Sequence, residues 1–100
     1  MFVVILTYVK PTEQVDSLLA AHCEFMQLAY DAGSFLMSGP RHPRHGGVIL
    51  AKAENREAVL KVLEHDPFYQ NGIAEYQIIE FIPNRFADEI EHVQSKFLGL

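Results

Sequence analysis

Ser34-Phe35-Leu36-Met37-Ser38-Gly39-Pro40-Arg41-His42-Pro43-Arg44-His45-Gly46-Gly47-Val48-Ile49-Leu50-Ala51-Lys52-Ala53 holds two short apolar runs with a polar loop between them. Ser34 to Ser38 reads as a strand closed by Gly39-Pro40, and Gly47 to Ala53 as the next strand. The segment from Arg41 to Gly47 is a polar loop, long enough to form part of a pocket wall. Two successive strands at the middle of the chain decide the fold once their neighbours are placed.

Upstream, Val15, Leu18, Leu19, His22, Phe25, Met26 and Ala29 recur at helical spacing. Thr12 is placed to cap this helix, and Glu13 and Asp16 fall in its first turn, favourable near the positive end of the dipole. Gly33 suits its C-terminal end, because glycine tolerates the left-handed cap conformation. Before it, Phe2 to Tyr8 is a run of β-branched and aromatic residues that suits a central strand, and Pro11 stops it. Downstream, Asn55 caps a helix from Arg56 to His65 that buries Ala58, Val59, Val62 and Leu63. The Asp66-Pro67 step breaks that helix, since proline disfavours helical geometry in the residue before it. Asp66 is also placed to cap the short turn that follows. Ala74 to Ile82 forms the last strand, and Pro83 ends it. Phe86, Ile90, Val93 and Phe97 then lie on one side of an amphipathic helix, expected to be buried.

The order is β-α-β-β-α-β, the α+β ferredoxin-like arrangement, with a C-terminal helix. Residues 1–100 form a single domain, with 84–100 as a helical extension. Both long helices cover one face of the sheet. With 49% of residues hydrophobic and only 21% charged, the strands carry apolar side chains for the other face as well. The expectation is a homodimer whose sheets pack face to face.

A net charge of -5 argues against nucleic acid as a partner, although Arg41-His42-Pro43-Arg44-His45 could hold one small anion. Cys23 is the only cysteine, so no intrachain disulfide forms, and without a secretory signal pattern the expected compartment is the cytoplasm. The apolar opening run is far shorter than the ~20 residues that cross a bilayer, so no membrane contact is expected. His42, His45 and His65 match no zinc spacing, and two arginines beside the first two repel a cation; no metal or cofactor is expected.

His22 and Asp66 are the candidate catalytic pair. A histidine can move a proton near neutral pH, and a carboxylate beside it fixes its tautomer. On the apolar stripe of a helix, a histidine is more often a core residue with one satisfied hydrogen bond, and a lone aspartate before Pro67 is more often a cap. Cys23 adjoins His22, but successive helical side chains point about a third of a turn apart, which argues against a Cys-His nucleophile. Arg44 could steady a carboxylate or enolate oxygen, and Ser38 with the amides around Gly39 and Gly46 could donate hydrogen bonds. Tyr8 and Phe68 complete the substrate-binding candidates, as pocket walls.

Taken in order, the Phe2-Val3-Val4 strand, His22, Gly33, Ser38-Gly39-Pro40, Arg44-His45-Gly46-Gly47 and Asp66-Pro67-Phe68 followed by Tyr76 resemble the YciI-like (YCII-related) family. The resemblance runs to Pro83. It implies a dimeric α+β barrel with a cleft near the histidine and the aspartate, and these two as a catalytic pair. It implies no substrate, although a dehydrochlorinase among the relatives places elimination chemistry within reach of the scaffold. The resulting expectation is a small-molecule enzyme using His22 and Asp66 for proton transfer on an anionic ligand: a lyase, isomerase or dehydrohalogenase. The same pocket could instead bind a metabolite without turnover, or the sheet face could serve subunit contacts alone.

Overall fold

The central strand, β1 (Phe2–Tyr8), pairs antiparallel on both sides in the computed structural model, which describes residues 1–93. It is followed by α1 (Thr12–Asp31), β2 (Phe35–Pro40), β3 (Gly46–Ala51), α2 (Arg56–Leu63), the short α3 (Pro67–Gln70) and β4 (Ala74–Glu80). A 3-10 segment spans Asp88–Val93. The sheet order is β2-β3-β1-β4, so each strand–helix–strand unit straddles a strand of the other, as the ferredoxin-like arrangement requires.

Alternation along β1 sends Phe2, Val4 and Leu6 to the helical side, where all three are sealed from solvent. They meet Val15, Phe25 and Ala29 of α1, Val59 and Leu63 of α2, and Phe68 of α3 in one core. Leu18, Met26 and Val62 are only partly buried at its margin, and Leu19 is exposed.

Several boundaries differ from the sequence expectation. Pro11, not Thr12, is the N-cap of α1, and no side chain bonds there. The proline's restricted φ turns the chain into the helix, and Pro11 O accepts from the amides of Gln14 and Val15. At the other end Gly33, with φ +80°, closes a Schellman motif: its N–H donates to Tyr30 O and the Ser34 N–H to Ala29 O. A register shift between Phe35 and Met37 delays β2, which runs through Gly39 to Pro40. Asn55 caps α2 as read, accepting from the Ala58 N–H, but the helix stops at Leu63. The tail departs most. A 3-10 segment stands where an α-helix was expected, Phe86 is half-buried, and Ile90 is 46% exposed. The side chain of Val93 and all of Phe97 lie outside the described residues.

On the side of the sheet away from the helices, register brings Val3 opposite Leu50 and Ile79, Ile5 opposite Val48, and Met37 opposite Leu50. This apolar set is open to solvent in the single chain, with Met37 62% exposed and Ile79 42%. Among the described residues no helix is long and apolar enough to cross a membrane.

Candidate active site

Asp66 is completely buried, and three donors converge on its carboxylate. The break after α2 turns it inward as the N-cap of α3, so its Oδ1 accepts from the Phe68 N–H at 2.9 Å. The same oxygen accepts from His22 Nδ1 at 2.8 Å. Its Oδ2 accepts from the Tyr76 hydroxyl, on β4, at 2.5 Å. A carboxylate surrounded by donors acts as acceptor throughout, so the network assigns the imidazole proton to Nδ1. The other ring nitrogen, Nε2, is then an acceptor in the neutral ring.

Phe68 fixes the imidazole from one face. The two rings stack with centroids 4.0 Å apart and planes within 5°. Tyr8 packs edge-on to Phe68, centroids 5.9 Å apart. Tyr76 is held in its donor role by its surroundings: burial first, then its bond to Asp66, raises its pKa well above the usual phenol range.

His22 opens onto a cavity of about 340 Å³ between α1 and the sheet. Its walls are mainly apolar, with Leu6, Leu19, Met26, Ile49 and Phe68 among them. Of the candidates from the sequence, His22, Tyr8, Ser38, Gly39 and Phe68 line it. Asp66 stands behind His22, buried. Cys23 also reaches the cavity and is otherwise exposed.

Arg44 does not join them. Its guanidinium donates to Asp16 Oδ1 at 2.8 Å, across an exposed pair that ties the β2–β3 loop to the start of α1. It also lies 5.8 Å from the centre of the Tyr8 ring and does not line the cavity. Asp16, read as a helix-dipole residue, is its partner, and that contact raises the Arg44 pKa. Arg41, the other arginine of this loop, donates to Thr7 Oγ1 at 2.9 Å.

Two residues of the site were given no role in the sequence. Tyr76 entered only as part of the family resemblance, although a buried tyrosine hydroxyl usually calls for a partner. Tyr30, in the last turn of α1, lines the cavity and shares a 2.5 Å hydrogen bond with Ser38 Oγ. Among the described residues no three His, Cys, Asp or Glu side chains gather as a metal site.

The fold and this site define an α+β ferredoxin-like protein with a carboxylate-backed histidine at an apolar cavity. The chain belongs to the YCII-related family, whose domain profile matches residues 1–82. In three dimensions it is similar to the 5-chloro-2-hydroxyhydroquinone dehydrochlorinase of Burkholderia phenoliruptrix AC1100, solved in complex with 2,5-dihydroxybenzoquinone. The TM-score is 0.68 at 18% identity, covering 84% of this chain and 96% of that one, a likeness of fold. No curated protein sequence matches the chain.

Proposed function

We propose that this chain is a cytoplasmic small-molecule enzyme in which His22 is the general base and acid and Asp66 orients it. The observation that carries the reading is the buried Asp66 on His22 Nδ1, with the opposite ring nitrogen left to the 340 Å³ cavity. A histidine that only packs the core would have its ring sealed from any cavity. Here, among the described residues, Nε2 has no hydrogen-bond partner in the protein.

Proton abstraction at Nε2 would leave an imidazolium whose charge the Asp66 carboxylate stabilises, and an enolate or phenolate in the cavity. The anionic character of the ligand thus arises in the site, without Arg44. Tyr8 and Phe68 shape its walls, and Ser38 with Gly39 borders it from β2. Chemistry of this kind includes the elimination for which the structural relative, a dehydrochlorinase, is named, as well as isomerisation. Residues 1–93 make one domain, with 84–93 an extension of it.

The test is a turnover screen of hydroxylated and chlorinated aromatic compounds and lactone acids, 5-chloro-2-hydroxyhydroquinone included. For any compound turned over, His22→Ala is expected to lower the rate by about a hundredfold or more, the scale of general acid–base catalysis. An unchanged rate would leave His22 as a packing residue.

The working unit in this proposal is a homodimer closed over the apolar outer face of the sheet. Support comes from the half-open Val48, Met37 and Ile79. A single domain of this size has little spare stability with which to leave such a patch in water. Sedimentation at micromolar concentration is expected to give twice the chain mass, and Val48→Asp to give the monomer. A wild-type monomer would refute the dimer and leave the His22 assignment standing.

A further inference from the structure

The geometry points to the Tyr30–Ser38 hydroxyl pair as the second polar pole of the cavity, which binds and stabilises the oxygen where charge arrives when His22 removes a proton. This inference rests on the proton-transfer reading and adds to it the class of substrate. The predicted class is a conjugated compound of about one ring, with an acidic O–H at one end and a carbonyl at the other.

His22, Met26 and Tyr30 stand at successive four-residue steps on α1, hence in one row along a helix face, and all three line the cavity. The row presents a base, an apolar spacer and a hydroxyl. Tyr30 lies about 12 Å beyond His22 along the axis, and helical side chains lean toward the N-terminus, so the phenol leans back toward the imidazole. Its ring is braced edge-on against the buried Phe35, with centroids 6.1 Å apart. Ser38 comes from β2, where register places it opposite Ile49 of the cavity wall.

Each hydroxyl holds one proton and two lone pairs. When one donates to the other across 2.5 Å, the acceptor's own proton stays free to turn to a ligand. The donated bond also polarises it, making it a better donor than a lone hydroxyl. At the other pole, Nε2 of the neutral ring accepts. The cavity is therefore asymmetric: it accepts a proton at His22 and offers one at Tyr30–Ser38. A ligand that matches has a hydroxyl at the first pole and a carbonyl at the second. If the two are conjugated, the O–H proton passes to Nε2 and the electron pair moves through the π system to the carbonyl oxygen. That oxygen gains the negative charge and accepts the waiting hydroxyl proton as a hydrogen bond. No electrons leave the ligand, and no co-reactant is needed.

The alternative is a structural tie between the end of α1 and β2. Such a tie, exposed to water as this one is, would affect stability and not ligand choice.

4-Hydroxyacetophenone and 4-isopropylphenol separate the two. They share a skeleton and the phenol, and only the first has the carbonyl. Wild-type protein is expected to bind the ketone about fivefold more tightly, the scale of one hydrogen bond. The bound ketone should also show the red-shifted absorption band of its phenolate. Tyr30→Phe, Ser38→Ala and the double variant should each reduce the preference and the band, with melting temperature and 4-isopropylphenol affinity close to wild type. His22→Ala should abolish the band. Preference and band that persist in the double variant would overturn the second pole and leave the His22 reading intact. Equal loss of both probes in the variants would reduce the pair to a structural tie and overturn it too. Failure of wild-type protein to bind either probe would overturn the inference together with the ligand cavity on which it rests.

Discussion

Asp66→Ala is expected to cost the fold on the order of 4 kcal/mol and to remove most turnover on any substrate found. The carboxylate has no exposure, so water cannot take its place without entering the core. Its removal strands the Phe68 N–H at the start of α3, the His22 Nδ1–H and the Tyr76 hydroxyl. A lost helix cap costs about 1 kcal/mol, and each buried donor left without a partner about 1–3 kcal/mol, offset where the side chains relax. Against a total stability of roughly 5–15 kcal/mol for a domain, this is a large fraction. The isosteric Asp66→Asn separates structure from chemistry. Its carbonyl can still accept from His22 and Phe68, and the Tyr76 hydroxyl can rotate to accept from the new amide. Stability should therefore drop by only about 1–2 kcal/mol in urea denaturation, the scale of a weakened hydrogen-bond set. Turnover should fall far more, by about a hundredfold, because a neutral amide no longer stabilises the imidazolium. Wild-type turnover in Asp66→Asn would mean that Asp66 holds the fold and nothing else.

The parts of this arrangement that were legible are those set by neighbours in the chain. Phe2 to Leu6 announces a covered strand by its composition alone, and the Asp66-Pro67 step announces a helix break with a cap. Asn55 declares its helix in the same way. Their backbone consequences are local, so one sequence window contains both cause and effect. The pairing of His22 with Asp66 needed the fold as well, since it joins α1 to the turn after α2.

Contacts chosen among several distant candidates were not legible. Nothing in residues 41–47 names a partner for Arg44, and the loop conformation decided for Asp16. Tyr76 has the same alternation as any strand aromatic. Only the register of β4, with Tyr76 opposite Leu6, sets its hydroxyl under Asp66. Tyr30 depends on β2 reaching past Ser38, and the register shift that carries it there follows from pairing with β3, not from residues 34–38 alone. The tail is a third kind of case. Its periodicity describes a face that needs a surface, and the 3-10 segment Asp88–Val93 leaves Ile90 exposed.

Gly46→Ala is expected to be the most damaging glycine-to-alanine change among the described residues. Gly46 sits at the first position of β3, opposite Thr7, with φ +153°. A Cβ there would stand 1.8 Å from the carbonyl oxygen of Leu6 and 2.6 Å from its carbon. Both atoms belong to the backbone of the central strand, which β4 holds from its other side, so neither can swing away as a side-chain tip would. Relief requires β1 and β3 to part at this end. That would break the bond from Tyr8 N to His45 O and pull Leu6 and Gly47 out of the cavity wall. The expected loss is about 4 kcal/mol or more, in the range reserved for core disruption. Two neighbouring glycines calibrate it. A Cβ on Gly47 would meet Gly39 O at 3.3 Å, a contact that a small shift relieves, and one on Gly39 would meet nothing within 4 Å. Urea midpoints should therefore fall steeply for Gly46→Ala, modestly for Gly47→Ala and hardly at all for Gly39→Ala. A Gly46→Ala protein within about 1 kcal/mol of wild type would show that the β1–β3 contact yields far more easily than a paired central strand should.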